Sequence, residues 1–374
     1  MKIAIVAPYF GVRGGREQTV YELARGLAER GHFVKVFTTD RTPSGERIKR
    51  NVQKNEKLKN EKFEVERIKS AFVAFRVEIP LKFPKLSHFD IVHVISTDDI
   101  FTFIFAIAAK ISKKPVVATV FTPLALLKHP KWVLRPLMAF IEFISLVSIT
   151  ISDLVHVKNE VDSQLMRKIK NNVVVIPDGI PGYYFNLKPA VDFRRKYGLV
   201  EKKIILFVNR IHPLKGPQLL VEAMPEILKE YPDAFAVFIG PDAGYVDELK
   251  RLASERKVED AVLFLGFVSE EEKIAAYDAA DVVVIPSIGE FTEAFSIVLS
   301  EAWARRKTVV VSESRALRSR AKGHGYIFKG YNAKNLADSV KKALIKPKKP
   351  AKVHTWDEVV EMMERVYFAE TEGC

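Results

Sequence analysis

Two cations and two carboxylates in the second half of the chain have the types and spacing for chemistry. Arg210 and Lys215 lie five residues apart, with Pro213 between them, directly after an apolar run. Glu293 and Glu301 are separated by seven residues and also follow an apolar run, which ends at Pro286. A diphosphate leaving a sugar gains negative charge as the bond breaks. Arg offers its oxygens a planar fork and Lys a compact charge. The two acids could accept hydrogen bonds from the hydroxyls of a sugar and a ribose. Residues 294–297 read as the opening of a helix, whose free first-turn N–H groups can receive phosphate or sugar oxygens. A nucleotide sugar would suit the combined set. The plainer alternative is a loop with two surface cations, a helix-terminal acid and a second acid on a solvated face. The ordered combination favours the chemical reading.

Such groups need strands and helices to position them. Apolar runs at 204–208, 234–239, 261–265, 282–285 and 308–311 read as strands, with 326–328 as a short sixth. Between them, 218–229, 245–256, 270–279 and 296–305 carry helical patterning. The first half follows the same plan. Strands are expected at 2–7, 32–38, 90–95, 115–120, 154–157 and 173–176, with weaker candidates at 63–68 and 72–79. A helix is expected over 17–30, opened by Gly14 and Gly15 and stopped by Gly31, and an apolar one near 100–111. Alternating strands and helices imply parallel sheets covered on both faces. Loops leaving the carboxyl ends of such strands are where open α/β sheets bind ligands.

At 374 residues, two domains are expected. The boundary is placed in the polar stretch 183–188, giving domains 1–183 and 184–354, with a last helix in 355–374. The single cysteine, Cys374, rules out a disulfide within the chain and suits a reducing cytosol. The amino terminus lacks the features of a signal peptide. The longest apolar stretch, 137–151, contains Glu142 and is shorter than the ~20 residues of a spanning helix. It reads as a buried helix running into a strand.

The net charge of +13 is uneven: residues 1–182 carry +11 and the remainder +2. A basic surface can attract anionic lipid, nucleic acid or an anionic substrate. In 41–69 the lysines alternate with Glu46, Glu56, Glu61, Glu64 and Glu66, which suits an ordinary solvated face. No interleaving of basic and aromatic residues marks a nucleic-acid surface. The basic, apolar segment 128–143, with Lys128, His129, Lys131 and Trp132, could touch an anionic membrane or face an acceptor. No His pair has metal spacing. Asp98 and Asp99 are adjacent, without a third ligand near in sequence, and read as helix N-terminal acids. His93 falls in a buried strand and reads as structural.

The ordered motifs resemble glycosyltransferase family 4. The matching residues are Gly14, Gly15 and Glu17; Gly31, His32 and Val34; the 175–180 segment ending Pro177, Asp178, Gly179 and Ile180; Arg210 through Gly216; 264–267; 281–287; and Glu293 with Glu301. The similarity spans essentially the whole chain. It implies the GT-B fold, an α/β architecture of two Rossmann-like, doubly wound domains facing across a cleft. It also implies retaining transfer of a hexose from a nucleoside diphosphate sugar, UDP- or GDP-linked, to the hydroxyl of a glycan or lipid-linked acceptor. Neither a tightly bound cofactor nor a metal is implied. By resemblance, Arg210 and Lys215 bind the diphosphate, Glu293 the donor sugar and Glu301 the ribose. Backbone at Phe295, Ser296 and Ile297 meets sugar and phosphate, and Gly266 and Phe267 lie near the base. Gly14 and Gly15 belong to the acceptor domain, with Gly15 close to the donor phosphate. The implied location is the cytoplasm, with contact to the inner membrane face. The sequence departs from the family pattern at Phe121 (commonly His), Ser296 (commonly Gly) and Arg306–Thr308 (commonly Gly-Thr-Pro), and at Asn159 and Asn209, where Ser and Gly are common. Those departures motivate an alternative: a catalytically impaired, nucleotide-sugar-binding protein of the same fold.

Overall fold

The computed structural model describes the chain except for residues 11–14, 43–45, 47–61, 75–76, 122–134, 291 and 373–374. Gly14, Lys128, His129, Lys131, Trp132 and most of the 41–69 stretch therefore lie outside or largely outside the described residues. The chain divides into two units, Met1–Gly179 with Trp356–Cys374, and Ile180–Thr355. The division falls slightly before the expected 183/184 boundary. Ile180 already belongs to the second unit, where its N–H donates to the His354 carbonyl at 3.0 Å and it bridges Thr355.

The first unit contains β1 (Lys2–Val6), β2 (Phe33–Thr39), β3 (Glu64–Ile68), β4 (Ser70–Ala74), β5 (Val77–Pro80), β6 (Ile91–Ile95), β7 (Val116–Val120), β8 (Leu154–Val157) and β9 (Val173–Val175). Seven of these form a parallel sheet in the order β3-β2-β1-β6-β7-β8-β9. The strand expected at 72–79 is instead part of an antiparallel hairpin, β4 with β5. Apolar residues run through both strands, so the sequence pattern hides the reversal.

Strand order reverses between β1 and β6, and the loops after these two strands carry strained backbone. Tyr9 has φ 63° and Ser96 φ 91°. Asp99 caps the Ile100–Ile111 helix, accepting from the Thr102 N–H at 2.8 Å. Asp98 instead pairs with Arg16 at 3.2 Å. The apolar 137–151 segment lies within the helix Arg135–Ile151, which leads into β8 as expected.

The carboxy-terminal helix, Trp356–Glu372, returns to the first unit and packs on Gly15–Glu29. A Cβ on Gly26 would stand 2.5 Å from a Val360 methyl, so glycine permits this close approach. Arg30 and His32 both reach Glu364 of the returning helix, at 3.1 and 2.6 Å.

A buried hydrogen-bond chain crosses the sheet and ends on that helix. His156 Nε2 faces the Ile176 carbonyl at 2.8 Å and must carry a proton. Its Nδ1 is then an acceptor for Thr119 Oγ1 at 2.8 Å. Thr119 Oγ1 in turn accepts from His93 Nε2 at 2.7 Å, and His93 Nδ1 accepts from the Tyr367 hydroxyl at 2.5 Å. Every donor and acceptor is matched only while both imidazoles are neutral. Burial pushes His156 down to about 4, and burial also pushes His93 well below 6.5. The unfolded chain therefore binds more protons than the folded one between these values and 6.5. Stability is fully present above the unfolded value and falls as pH drops from 6.5 towards 4, with His156 alone contributing about 3 kcal/mol. Urea midpoints measured from pH 7 to 4 should fall steeply for the wild type and less steeply for His156→Gln. Parallel slopes would contradict this account.

The second unit holds β10 (Lys203–Val208), β11 (Ala234–Ile239), β12 (Val262–Gly266), β13 (Val282–Ile285), β14 (Thr308–Ser312) and β15 (Tyr326–Phe328). They form one parallel sheet in the order β12-β11-β10-β13-β14-β15. Continuous Ile, Val and Phe runs fit strands buried on both faces, and separate apolar clusters cover the two sides. The order reverses between β10 and β13.

Candidate functional site

The reversal in the second unit coincides with the two sequence motifs. Arg210 and Lys215 leave the carboxyl end of β10, and Glu293 leaves that of β13, its neighbour in the sheet. Two close contacts lace the loops together. Gly216, at φ 73°, lies so near Pro286 that a Cβ would be 2.1 Å from the Pro286 carbonyl oxygen. The Ile288 N–H donates to the Leu214 carbonyl at 2.8 Å.

This lacing puts Lys215 Nζ 2.7 Å from Glu293 Oε1. Ser287 Oγ donates to the same oxygen at 2.7 Å. Both ends of the ion pair are largely shielded, with side chains 16% and 9% exposed. Arg210 is exposed, and no carboxylate pairs with it among the described residues. The site therefore carries one internally compensated cation and one open to solvent.

Glu301 lies in the fifth position of the helix Ile297–Ala304. Its carboxylate accepts from Tyr277 at 2.8 Å, Tyr184 at 2.9 Å and Lys273 at 3.1 Å. Tyr184 also stands 2.8 Å from Glu270, and its single proton serves one carboxylate at a time. Lys273 bridges the two acids, reaching Glu270 at 2.9 Å. Burial alone would depress Lys273, but Glu301 and Glu270 outweigh it and leave its pKa raised. Burial also raises Tyr277, reinforced by Glu301, so this phenol stays a donor. These contacts fix the carboxylate's orientation.

Between the two acids, Phe295 is buried and Ser296 adopts φ 65°, ψ 91°. The Ser296 hydroxyl is buried without a partner and does not cap the helix that starts at Ile297. The first-turn N–H groups thus lack the usual side-chain acceptor. Serine stands where the family pattern has glycine, yet the backbone keeps the left-handed conformation glycine favours. Arg306 does the same after the helix, at φ 58°. Gly266 ends β12 at φ 66°, and the Phe267 side chain is 76% exposed. That strand is two places from β10, so these residues flank the motif loops rather than join them. Gly15 opens the first helix of the other unit.

In the first unit, Phe121 follows β7 and lies between two cations. The Arg16 guanidinium carbon is 4.6 Å, and Lys158 Nζ 4.2 Å, from its ring centre. Lys158 is buried against Asp178 at 2.6 Å and Thr19 at 3.0 Å. Burial lowers its pKa, with Asp178 opposing that shift. Tyr184, Lys273, Tyr277, Arg320 and Lys158 are absent from the sequence reading. They sit in stretches without distinctive spacing, and only the fold brings them to the motifs. Among the described residues, no group of three or more His, Cys, Asp or Glu could hold a metal ion.

Two parallel-sheet units, with these motifs at a strand-order reversal, define a protein of the GT-B type. Residues 13–181 match the family described as "Glycosyltransferase Family 4", and residues 191–355 match "Glycosyl transferases group 1". The chain belongs to glycosyltransferase family 4. It is 31% identical over 326 residues to an uncharacterized glycosyltransferase, MJ1607, of Methanocaldococcus jannaschii, covering 83% of this chain and 80% of the relative. It is 28% identical over 335 residues to a phosphatidyl-myo-inositol mannosyltransferase of Mycolicibacterium smegmatis, covering 85% of this chain and 78% of that protein. Among solved structures, Anabaena Alr3699/HepE in complex with UDP aligns with a TM-score of 0.74 at 17% identity, over 100% of this chain and 98% of that one. Sucrose-phosphate synthase from Thermosynechococcus elongatus aligns with a TM-score of 0.73 at 18% identity, over 100% of both chains.

Proposed function

We propose that this glycosyltransferase moves a hexose, with retention, from a nucleoside diphosphate sugar bound by the second unit to an acceptor hydroxyl bound by the first. The observation that carries the reading is the Lys215–Glu293 pair at the β10/β13 reversal, beside the exposed Arg210. Arg210 and Lys215 receive the diphosphate and stabilise the charge it gains on departure. The uncapped helix start at Ile297 adds N–H donors. Glu293, released from Lys215 as the cation turns to phosphate, accepts from the sugar hydroxyls. Glu301, already oriented by two tyrosines and a lysine, takes the ribose. The leaving oxygen can accept the acceptor's proton, so no separate base is required.

The UDP complex of Alr3699/HepE supports a nucleotide-linked donor, and the mannosyltransferase relative supports a hexose and a lipid-linked acceptor. We further propose peripheral contact with anionic membrane at the cytoplasmic face, a reading that rests on the exposed Leu81 and Phe83, which neighbour Lys82 and Lys85 in the chain. No helix among the described residues is long and apolar enough to cross a membrane.

A thermal-shift screen of UDP, GDP, ADP and their glucose or mannose conjugates tests the donor reading. At a hundredfold excess over Kd, a ligand specific to the native state adds about 2.7 kcal/mol, a shift of several degrees. No shift with any nucleotide would overturn it. Phe121, packed between Arg16 and Lys158, favours a second reading, a binder without turnover. Nucleotide-sugar binding with neither transfer nor donor hydrolysis across an acceptor panel would select it.

A further inference from the structure

Arg320 lies outside every motif read from the sequence, on the helix Arg315–Ala321 that follows β14. Its guanidinium nevertheless reaches the segment between Glu293 and Glu301. Nη1 donates to the Phe295 carbonyl and, at 2.9 Å, to the Ser296 carbonyl. Nη2 donates to Ser300 Oγ at 2.8 Å. The guanidinium carbon stands 3.6 Å from the centre of the Phe295 ring and 5.4 Å from that of Trp303. Both rings are buried. One planar fork thus grips two successive carbonyls, the following helical turn and an aromatic wall.

The gripped backbone is strained. A non-glycine residue held at φ 65° costs about 1–3 kcal/mol and persists only where its surroundings over-determine it. The Ser296 hydroxyl makes no compensating bond. Arg320 supplies the constraint, since the carbonyls it holds lie on either side of the Ser296 φ and ψ angles. Those angles set the direction in which the N–H groups at the start of the Ile297–Ala304 helix point.

We propose that Arg320 is a positioning residue for the diphosphate. It locks Phe295 and Ser296 in a left-handed turn and thereby aims the helix N–H groups at phosphate oxygens. This rests on the donor reading above. Lysine cannot replace it, because a point charge offers neither the fork nor the planar stack.

The test compares nucleoside diphosphate with nucleoside. Calorimetric and competition affinities for UDP, GDP, uridine and guanosine are measured on the wild type, Arg320→Met and Arg320→Lys. Arg320→Met should weaken whichever diphosphate the wild type binds by about tenfold or more, because mis-aimed donors lose most of their electrostatic value. The matching nucleoside should bind as before. Arg320→Lys should shift in the same direction by a smaller factor. Adding Ser296→Gly to either variant should recover part of the loss, since glycine adopts positive φ without side-chain strain. Melting temperatures report whether each variant is folded, and Arg320→Lys decides the matter if Arg320→Met is not. Parallel losses for nucleoside and diphosphate, or an unchanged diphosphate affinity, would overturn the proposal and leave the donor reading standing. A wild type that binds no nucleoside diphosphate removes both.

Discussion

Replacing Arg210 and Lys215 together by alanine is expected to lower kcat/KM for transfer by about 10³-fold or more, the scale of losing preorganised charge at a leaving group. The two single variants should behave differently. Arg210 is exposed and lacks a carboxylate partner among the described residues, so Arg210→Ala should weaken the diphosphate's hold without changing the melting temperature. Lys215 is the partner of a shielded acid. Lys215→Ala leaves Glu293 with Ser287 as its remaining side-chain donor among the described residues, and a modest loss of stability should accompany the loss of activity. Steady-state kinetics with a nucleotide sugar, beside direct measurement of nucleoside diphosphate affinity, separates the contributions. Unaltered affinity and transfer in the double variant would remove the basis for placing the donor here.

The second large effect belongs to stability. Asp178→Ala leaves the Lys158 ammonium buried with Thr19 and the Phe121 ring but, among the described residues, no counter-charge. Breaking such a pair from one side costs about 3–5 kcal/mol, because the stranded charge must be desolvated or lose its proton. Burial already lowers the Lys158 pKa in the intact pair, and removing Asp178 takes away the charge that opposes that shift. Replacing both partners with apolar residues, Lys158→Met with Asp178→Leu, should return most of the lost stability. Urea unfolding of the single and double variants measures this directly. A single variant as stable as the wild type would mean that the pair is solvated in solution.

Much of this molecule is legible in its sequence, for identifiable reasons. Strands at 234–239, 282–285 and 326–328 coincide with β11, β13 and β15, because β-branched and aromatic runs of that length have one economical use in a parallel sheet. The helix expected over 270–279 is found as Glu270–Ala279, where Ser269 caps it by accepting from the Glu272 N–H at 3.1 Å. The motif residues Arg210, Lys215 and Glu293 could be tied to strand ends because each follows such a run. Long-range side-chain contacts were illegible. Nothing about Tyr184 or Tyr277 in isolation says that both will grip Glu301, and Arg320 resembles any basic residue on a helix. Asp98 shows the same limit. An acid beside a helix start suggests a cap, yet Asp99 takes that role and Asp98 faces a guanidinium 82 residues away in the chain.

Everything from Ile180 to Thr355 is a guest threaded into a host, and its entry and exit residues are hydrogen-bonded neighbours. The guest is thus a single continuous segment whose ends meet. The host's last helix supplies Tyr367 to His93 and Glu364 to Arg30 and His32, so truncating the tail is expected to destabilise the first unit. The ribosome makes the guest before the helix that completes the host, so that helix can dock only after the guest has been synthesised.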